Sequence, residues 1–451
     1  MAVSAEELGT QDIKKLLIKQ AVPASIGILF MSVNILIDTI FVGQWIGSLA
    51  IAAVTVVLPI TFLISSLGMA IGVGGGSVLS RALGSKDTEK AKITFANQIM
   101  MTIILASVFV LFGLFFSTEM LLLFGGKGAI MAPAAEFLGP IIIAVPFLAL
   151  CMMGNNIIRA EGKANFAMVA MIIPAFVNII LDIVFIKVMG LGMFGAALAT
   201  SISYFICFLF VLWFFAYKSE LRLKAWHFKL HIPIIKEITG LSFVTFSRQG
   251  VIAILAIILN HTLYSYGGEH SIAVYGIISR MLMFALFPIL GITQGFIPIA
   301  GYNYGAQNYE RVKESVQISI KYAALLASLI FVVILYYATP IVAIFTTDAK
   351  VIAETPNALR WVFAASPIIA IQLIGAAYFQ AAGKAKKALL LTLSKQGFFL
   401  IPLVLILPNF FGIFGVWVAF PIADVLSTLL TAYFLKKEMN TKLIKTTDGI
   451  L

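Results

Sequence analysis

Runs of mostly apolar residues, parted by short polar stretches, recur twelve times along the chain. About 20 such residues in helical form are enough to cross a hydrocarbon core. The pattern predicts spans near residues 16–42, 50–79, 92–117, 131–158, 165–189, 193–217, 234–264, 271–301, 315–340, 352–381, 387–408 and 413–435. Glycine-containing stretches part the closest neighbours. These are MGLGMFG between the fifth and sixth spans and PNFFGIFG between the eleventh and twelfth. The expected fold is an all-α integral membrane protein of 12 transmembrane helices.

Composition removes the soluble alternative. Of the 451 residues, 61% are hydrophobic and 11% charged, against about 25% charged in a soluble domain. A water-soluble globule of this length has no place to hide so much apolar surface, whereas lipid solvates the outside of a helical bundle. The net charge of +11 does not point to nucleic acid. The basic residues lie in short loops, and no basic stripe with interleaved aromatics is found.

The distribution of cations orients the chain. With the N-terminus in the cytoplasm, 25 of the 31 Lys and Arg fall on the cytoplasmic side. Four (Lys127, Lys187, Lys350, Arg360) fall outside, and Arg248 and Arg280 lie within spans. Positive charge is retained on the cytoplasmic side of membrane proteins. The bias therefore predicts a multi-pass protein of the cell (inner) membrane with both termini cytoplasmic. No cleavage pattern follows the polar start MAVSAEELGTQDIKK, so no signal peptide is expected. Cys151 and Cys207 both fall in apolar spans and are expected as free thiols.

The two halves of the chain match at a nearly constant offset of 221 residues. AVPFLALCMMGNNIIRAEGKA lies over ASPIIAIQLIGAAYFQAAGKA, with Pro146 on Pro367, Gly154 on Gly375, Gly162 on Gly383 and Lys163 on Lys384. The same offset sets Gly74 on Gly295, Gly84 on Gly305 and Glu89 on Glu310. Six spans per half is an even number, so both halves insert in one orientation. A pseudo-twofold axis along the membrane normal follows, and alternating access by rocking of the halves is the expected use of such a repeat. The expected division is an N-terminal bundle at 1–217, a cytoplasmic linker at 218–236 and a C-terminal bundle at 237–451. A central cleft between the bundles is expected.

Charges inside spans are costly and are functional candidates by default. Asp38 (SVNILIDTIFVG, first span) and Asp182 (FVNIILDIVFI, fifth span) both lie past the midpoints of spans that run outward. Asn34 and Asn178 each precede one of these acids by four residues, so each shares a helix face with its acid. Thr200 lies at similar depth in the sixth span. Together these oxygens could hold a proton or a Na⁺ ion, since hard cations take oxygen ligands. The repeat sets Leu259 on Asp38 and Pro402 or Leu403 on Asp182, so the acids belong to one half alone. The plainer role for the pair is a helix-locking contact that never titrates.

Other in-span polar groups carry weaker readings. Asp424 in span twelve is a lesser candidate. Arg280 is a possible cavity charge, with a structural ion pair as the plainer role. Pro23 lacks a backbone N–H and could act as a hinge in the first span. Asn155 and Asn156 suit interhelical hydrogen bonds. GVGGGS at 72–77 lacks the Lys-Ser/Thr ending of a phosphate loop and reads as close helix packing.

The segments IDTIFVGQWIGSLAIAAVTVVLP, GVGGGSVLSRALG, IRAEGKANFAMV, VNIILDIVFI, GMFGAALAT, IAVYGIISRMLMFALFPILGITQGFIPIAGYNYGA and AAGKAKKALLL resemble the multidrug and toxic compound extrusion (MATE) family, most of all its DinF-like, MepA-like branch. The resemblance covers nearly the whole chain. It implies export of organic cations and amphiphilic drugs by antiport against H⁺ or Na⁺, with no cofactor and no enzymatic step. The resemblance places the cation site on Asp38, Asn178, Asp182 and Thr200, with Asn155 nearby; the same four residues would be the ligands of Na⁺. NorM-like relatives instead use acids in spans seven and ten, which are absent here. The expected partners are small amphiphilic or cationic molecules and the bilayer, with no nucleic acid, and a monomer is expected. The rival reading is a lipid-linked saccharide flippase of the same superfold, which would want more cavity cations than Arg248 and Arg280. A membrane-embedded enzyme would want a constellation near a membrane surface, and the short loops carry none.

Overall fold

The structure, a computed structural model, describes residues 5–346 and 348–447. All regular elements among them are helical. Eleven apolar helical stretches are long enough to cross a membrane. The longest, Ile232–Gly305, is interrupted at Gly268 (φ 64°, ψ −163°), a backbone conformation that only glycine adopts without strain. That break makes it two spans, the seventh and eighth, and brings the total to the expected twelve. The others are span one (Ile13–Trp45), two (Ser48–Gly84), three (Thr88–Phe115), four (Met131–Ala160), five (Ala164–Val188), six (Gly192–Tyr217), nine (Tyr309–Phe345), ten (Ala349–Ala381), eleven (Ala385–Phe411) and twelve (Ile413–Thr447). Large apolar side chains such as Phe115, Leu123 and Ile344 stand almost wholly uncovered, as acyl-chain solvation permits.

The repeat is visible in the backbone. Lys86 (φ 60°) and Gln307 (φ 59°) take the same left-handed turn. Asp87 and Asn308 follow them and cap the next helices by accepting from the Lys90 and Arg311 N–H groups. Gly162 (φ 79°) and Gly383 (φ 77°) form a second matched pair. In the first pair the Asx cap that starts a helix was duplicated with the turn; in the second, Lys163 and Lys384 follow the glycines and make no side-chain cap.

The contacts divide the chain into two units. Ile26–Thr245 make up most of the first, and Gly9–Ser25 join the segment from Phe246 onward in the second. Thus the N-terminal part of span one packs within the second unit, and that of span seven within the first. Two matched glycines make this possible. A Cβ on Gly74 would lie 2.4 Å from Ser242 Oγ and 2.8 Å from the Ile238 carbonyl oxygen. A Cβ on Gly295 would lie 2.7 Å from the Ala21 nitrogen. Helix backbones meet this closely only where a side chain is missing. Each unit has its own apolar core. The first centres on Val57, Ile60, Leu138 and Ala197, the second on Leu259, Ile278, Leu359 and Val416.

Candidate cation-coupling site

The site lies in the first unit and is built from spans one, five and six. Helical spacing of four places Asn34 below Asp38 and Asn178 below Asp182, and spans one and five pack with these faces together. Asn34 Nδ2 donates to Asn178 Oδ1 at 2.8 Å. Asn178 Nδ2 donates to Thr200 Oγ1 at 3.3 Å, and Thr200 Oγ1 donates to the Ala196 carbonyl at 3.1 Å. This chain of amides and a hydroxyl ties three spans together.

Asp38 and Asp182 sit above it with their carboxyl groups within hydrogen-bonding range of each other. Asp182 is fully buried and Asn178 nearly so. Neither oxygen of Asp182 has a hydrogen-bond partner, nor does Oδ1 of Asp38. Ionised carboxylates only accept. Two of them side by side out of water need a shared proton or a cation between them. The amide chain below donates no hydrogen bond to either acid, so the protein itself leaves the pair unsatisfied. A turn of π-helix, Ile183–Val188, begins directly after Asp182, and such turns gather at functional sites.

The structure thus brings Asp38, Asp182, Asn178 and Thr200 into one place. Asn155 goes elsewhere. Its Nδ2 donates to the Ala167 carbonyl at 2.6 Å and its Oδ1 accepts from Arg159 Nε at 3.0 Å. It lies five residues from the C-terminal end of span four, whereas Asp182 lies eighteen residues on from the N-terminal end of span five, which follows directly. Pro23 is inside a helix that continues to Trp45, two residues before the point where span one passes from one unit to the other. Arg280 is exposed. Cys151 and Cys207 are free and buried. Among the described residues no group of three or more His, Cys, Asp or Glu is placed to hold a metal ion.

One charged pair escaped the sequence reading. Lys395, counted there with the cytoplasmic cations, meets Asp424 inside the second unit, with Nζ 2.7 Å from Oδ1. The missed signal was depth: Lys395 is about 15 Å into span eleven at 1.5 Å per residue.

Twelve spans in duplicated halves, with a buried acid pair in one half, fit a polytopic membrane transporter. Comparison with known proteins gives its family. Residues 23–184 and 248–406 match the MatE family, and the chain belongs to it. Relatives include the multidrug export protein MepA of Staphylococcus haemolyticus, 27% identical over 92% of this chain and 91% of that protein. MepA of Staphylococcus aureus is 27% identical over 95% of both. Among solved structures, a multidrug resistance MATE family transporter of the MOP superfamily in an outward-facing conformation matches with a TM-score of 0.92 at 25% identity, over 98% of this chain and 99% of that one. A MOP superfamily transporter from Pyrococcus furiosus matches with a TM-score of 0.91 at 25% identity, over the same shares.

Proposed function

We propose that this transporter exports amphiphilic and cationic small molecules by alternating access, driven by an inward-moving cation that binds at Asp38 and Asp182. Its named relatives are multidrug export proteins, which supports the export direction and the substrate class. The single observation that carries the coupling site is the adjacent acid pair whose buried oxygens lack any donor.

A proton is the simpler occupant. It lets one carboxyl donate to the other and leaves the Asn34–Asn178–Thr200 chain intact. A Na⁺ ion would want Asn178 Oδ1 as a ligand, and that oxygen already accepts from Asn34. Uptake from outside changes the charge between spans one and five, weakens the outward state's hold on substrate, and release inside resets it. Coupling needs a difference in affinity between the two states. Pro23 is the residue at which span one would flex.

The test is efflux of a fluorescent organic cation from proteoliposomes, with a pH gradient and a Na⁺ gradient imposed separately. Transport by the pH gradient alone supports the proton. Undiminished gradient-driven transport by both Asp38→Asn and Asp182→Asn would refute the site.

A further inference from the structure

The second unit holds a cavity of about 170 Å³ that the coupling site does not use. Its wall is mostly apolar; Tyr275, Ser366 and Gln396 add neutral polar groups, and its charged side chains are Lys395 and Asp424, which meet there. Tyr275 and Phe420 line it too, with ring centroids 6.4 Å apart. Lys395 is carried on a π-helical turn, Ser394–Leu400, the feature that also follows Asp182 in the first unit. The repeat makes none of this: Pro174 corresponds to Lys395, and Tyr204 or Ser203 to Asp424.

The two partners are unequal. Asp424 keeps 5% of its side chain exposed and Lys395 keeps 18%. Asp424 Oδ1 has no aligned hydrogen-bond donor despite the nearby ammonium. Lysine has a long, flexible stem and can withdraw its charge toward a boundary. The short aspartate cannot leave, and a buried charge left alone is strongly unfavourable. An incoming cation therefore takes Lys395's place on Asp424, whereas an incoming anion would strand the carboxylate. Aromatic faces beside a carboxylate also suit a quaternary ammonium. A cavity of about 150 Å³ accepts one benzene ring, so the space here fits a single ring.

We propose that this cavity is a second organic-cation site, in which Lys395 is a tethered stand-in for the cationic head of a small aromatic ammonium and Asp424 is its receptor. The readout is equilibrium binding of phenyltrimethylammonium to the full chain in nanodiscs. Asp38→Asn, which should stop transport, leaves this binding in place, so the two proposals fail separately. Lys395→Gln removes the stand-in and should tighten binding about tenfold, some 1.4 kcal/mol. A purely structural ion pair predicts the opposite. Lys395→Gln with Asp424→Asn removes both charges, and Ala327→Phe fills the cavity; each should abolish binding. If Lys395→Gln alone does not fold, these last two variants still decide. Unchanged affinity in either, or weaker binding in Lys395→Gln, overturns the site. Binding of benzoate in place of the cation overturns the choice of ligand charge.

Discussion

The two halves began as copies, and their buried charges now do opposite things. The first unit sets carboxyl beside carboxyl, Asp38 with Asp182, an arrangement incomplete without a proton or cation. The second sets ammonium beside carboxyl, Lys395 with Asp424, which is neutral as it stands. Like charges make a site that must be filled, and opposite charges make one that is closed until a competitor arrives. The shared scaffold shows that neither property belongs to the fold. Both come from a few side chains placed at depths where water cannot substitute for a partner.

The sharpest way to break this comparison is to neutralise each unit in turn. Asp182→Asn should reduce gradient-driven efflux to that of empty liposomes, while Asp424→Asn should retain coupling to the ion gradient. Equal loss of coupling in both would erase the distinction.

The loops after spans four and ten offer a second contrast. In the first unit Glu161 is buried and accepts from Ser219 Oγ at 2.6 Å, with Lys163 Nζ 3.8 Å away. In the second, Lys384, which corresponds to Lys163, joins Lys387 on Glu438 of span twelve. Burial pushes the Glu161 carboxyl from an ordinary 4.5 up to about 7, against the lowering pull of Ser219 and Lys163. The folded chain therefore binds this proton more tightly than the unfolded one. Stability from this group is fullest below pH 4.5 and falls as pH rises to about 7, a span worth about 3 kcal/mol. Glu161→Gln should flatten the fall in Tm between pH 5 and pH 7.5, measured by thermal shift in detergent. An unchanged slope would remove Glu161 as its cause.

The swapped helix ends should respond alike, because both rest on a missing side chain. Gly74→Val and Gly295→Val each drive atoms into backbone and should cost about 1–3 kcal/mol. A lowered Tm in one and not the other would show that the halves have diverged in packing as well as charge. The smallest effect is expected at Thr200. Thr200→Val removes the acceptor of Asn178 Nδ2, a bond worth about 1 kcal/mol. Proton-driven efflux should change by no more than about fivefold, as that figure implies. A selective loss of Na⁺-driven efflux would instead make Thr200 a ligand.

The grouping of the two acids with Asn178 and Thr200 was legible in the sequence, whatever role it serves. Acids are rare in apolar spans, and a spacing of four settles which residues share a face. Equal depth then brings Asp38, Asp182, Asn178 and Thr200 together once spans one, five and six pack. Asn155 resisted this reading because its partners, Arg159 and the Ala167 carbonyl, depend on how close spans four and five come beside the loop that joins them. Lys395 resisted it because a π-turn alters the helical phase from Ser394 onward, so the face it presents does not follow from a period of 3.6.

The amino-acid sequence by itself determined the twelve spans and the duplication, since hydropathy and turn residues act locally and at low resolution. Only the tertiary structure decided that the N-terminal ends of spans one and seven group with the other unit, that the two acids meet without a donor, and that Lys395 faces Asp424. Those outcomes depend on distances of a few ångströms between segments far apart in the chain, where close packing rather than local pattern selects the partner.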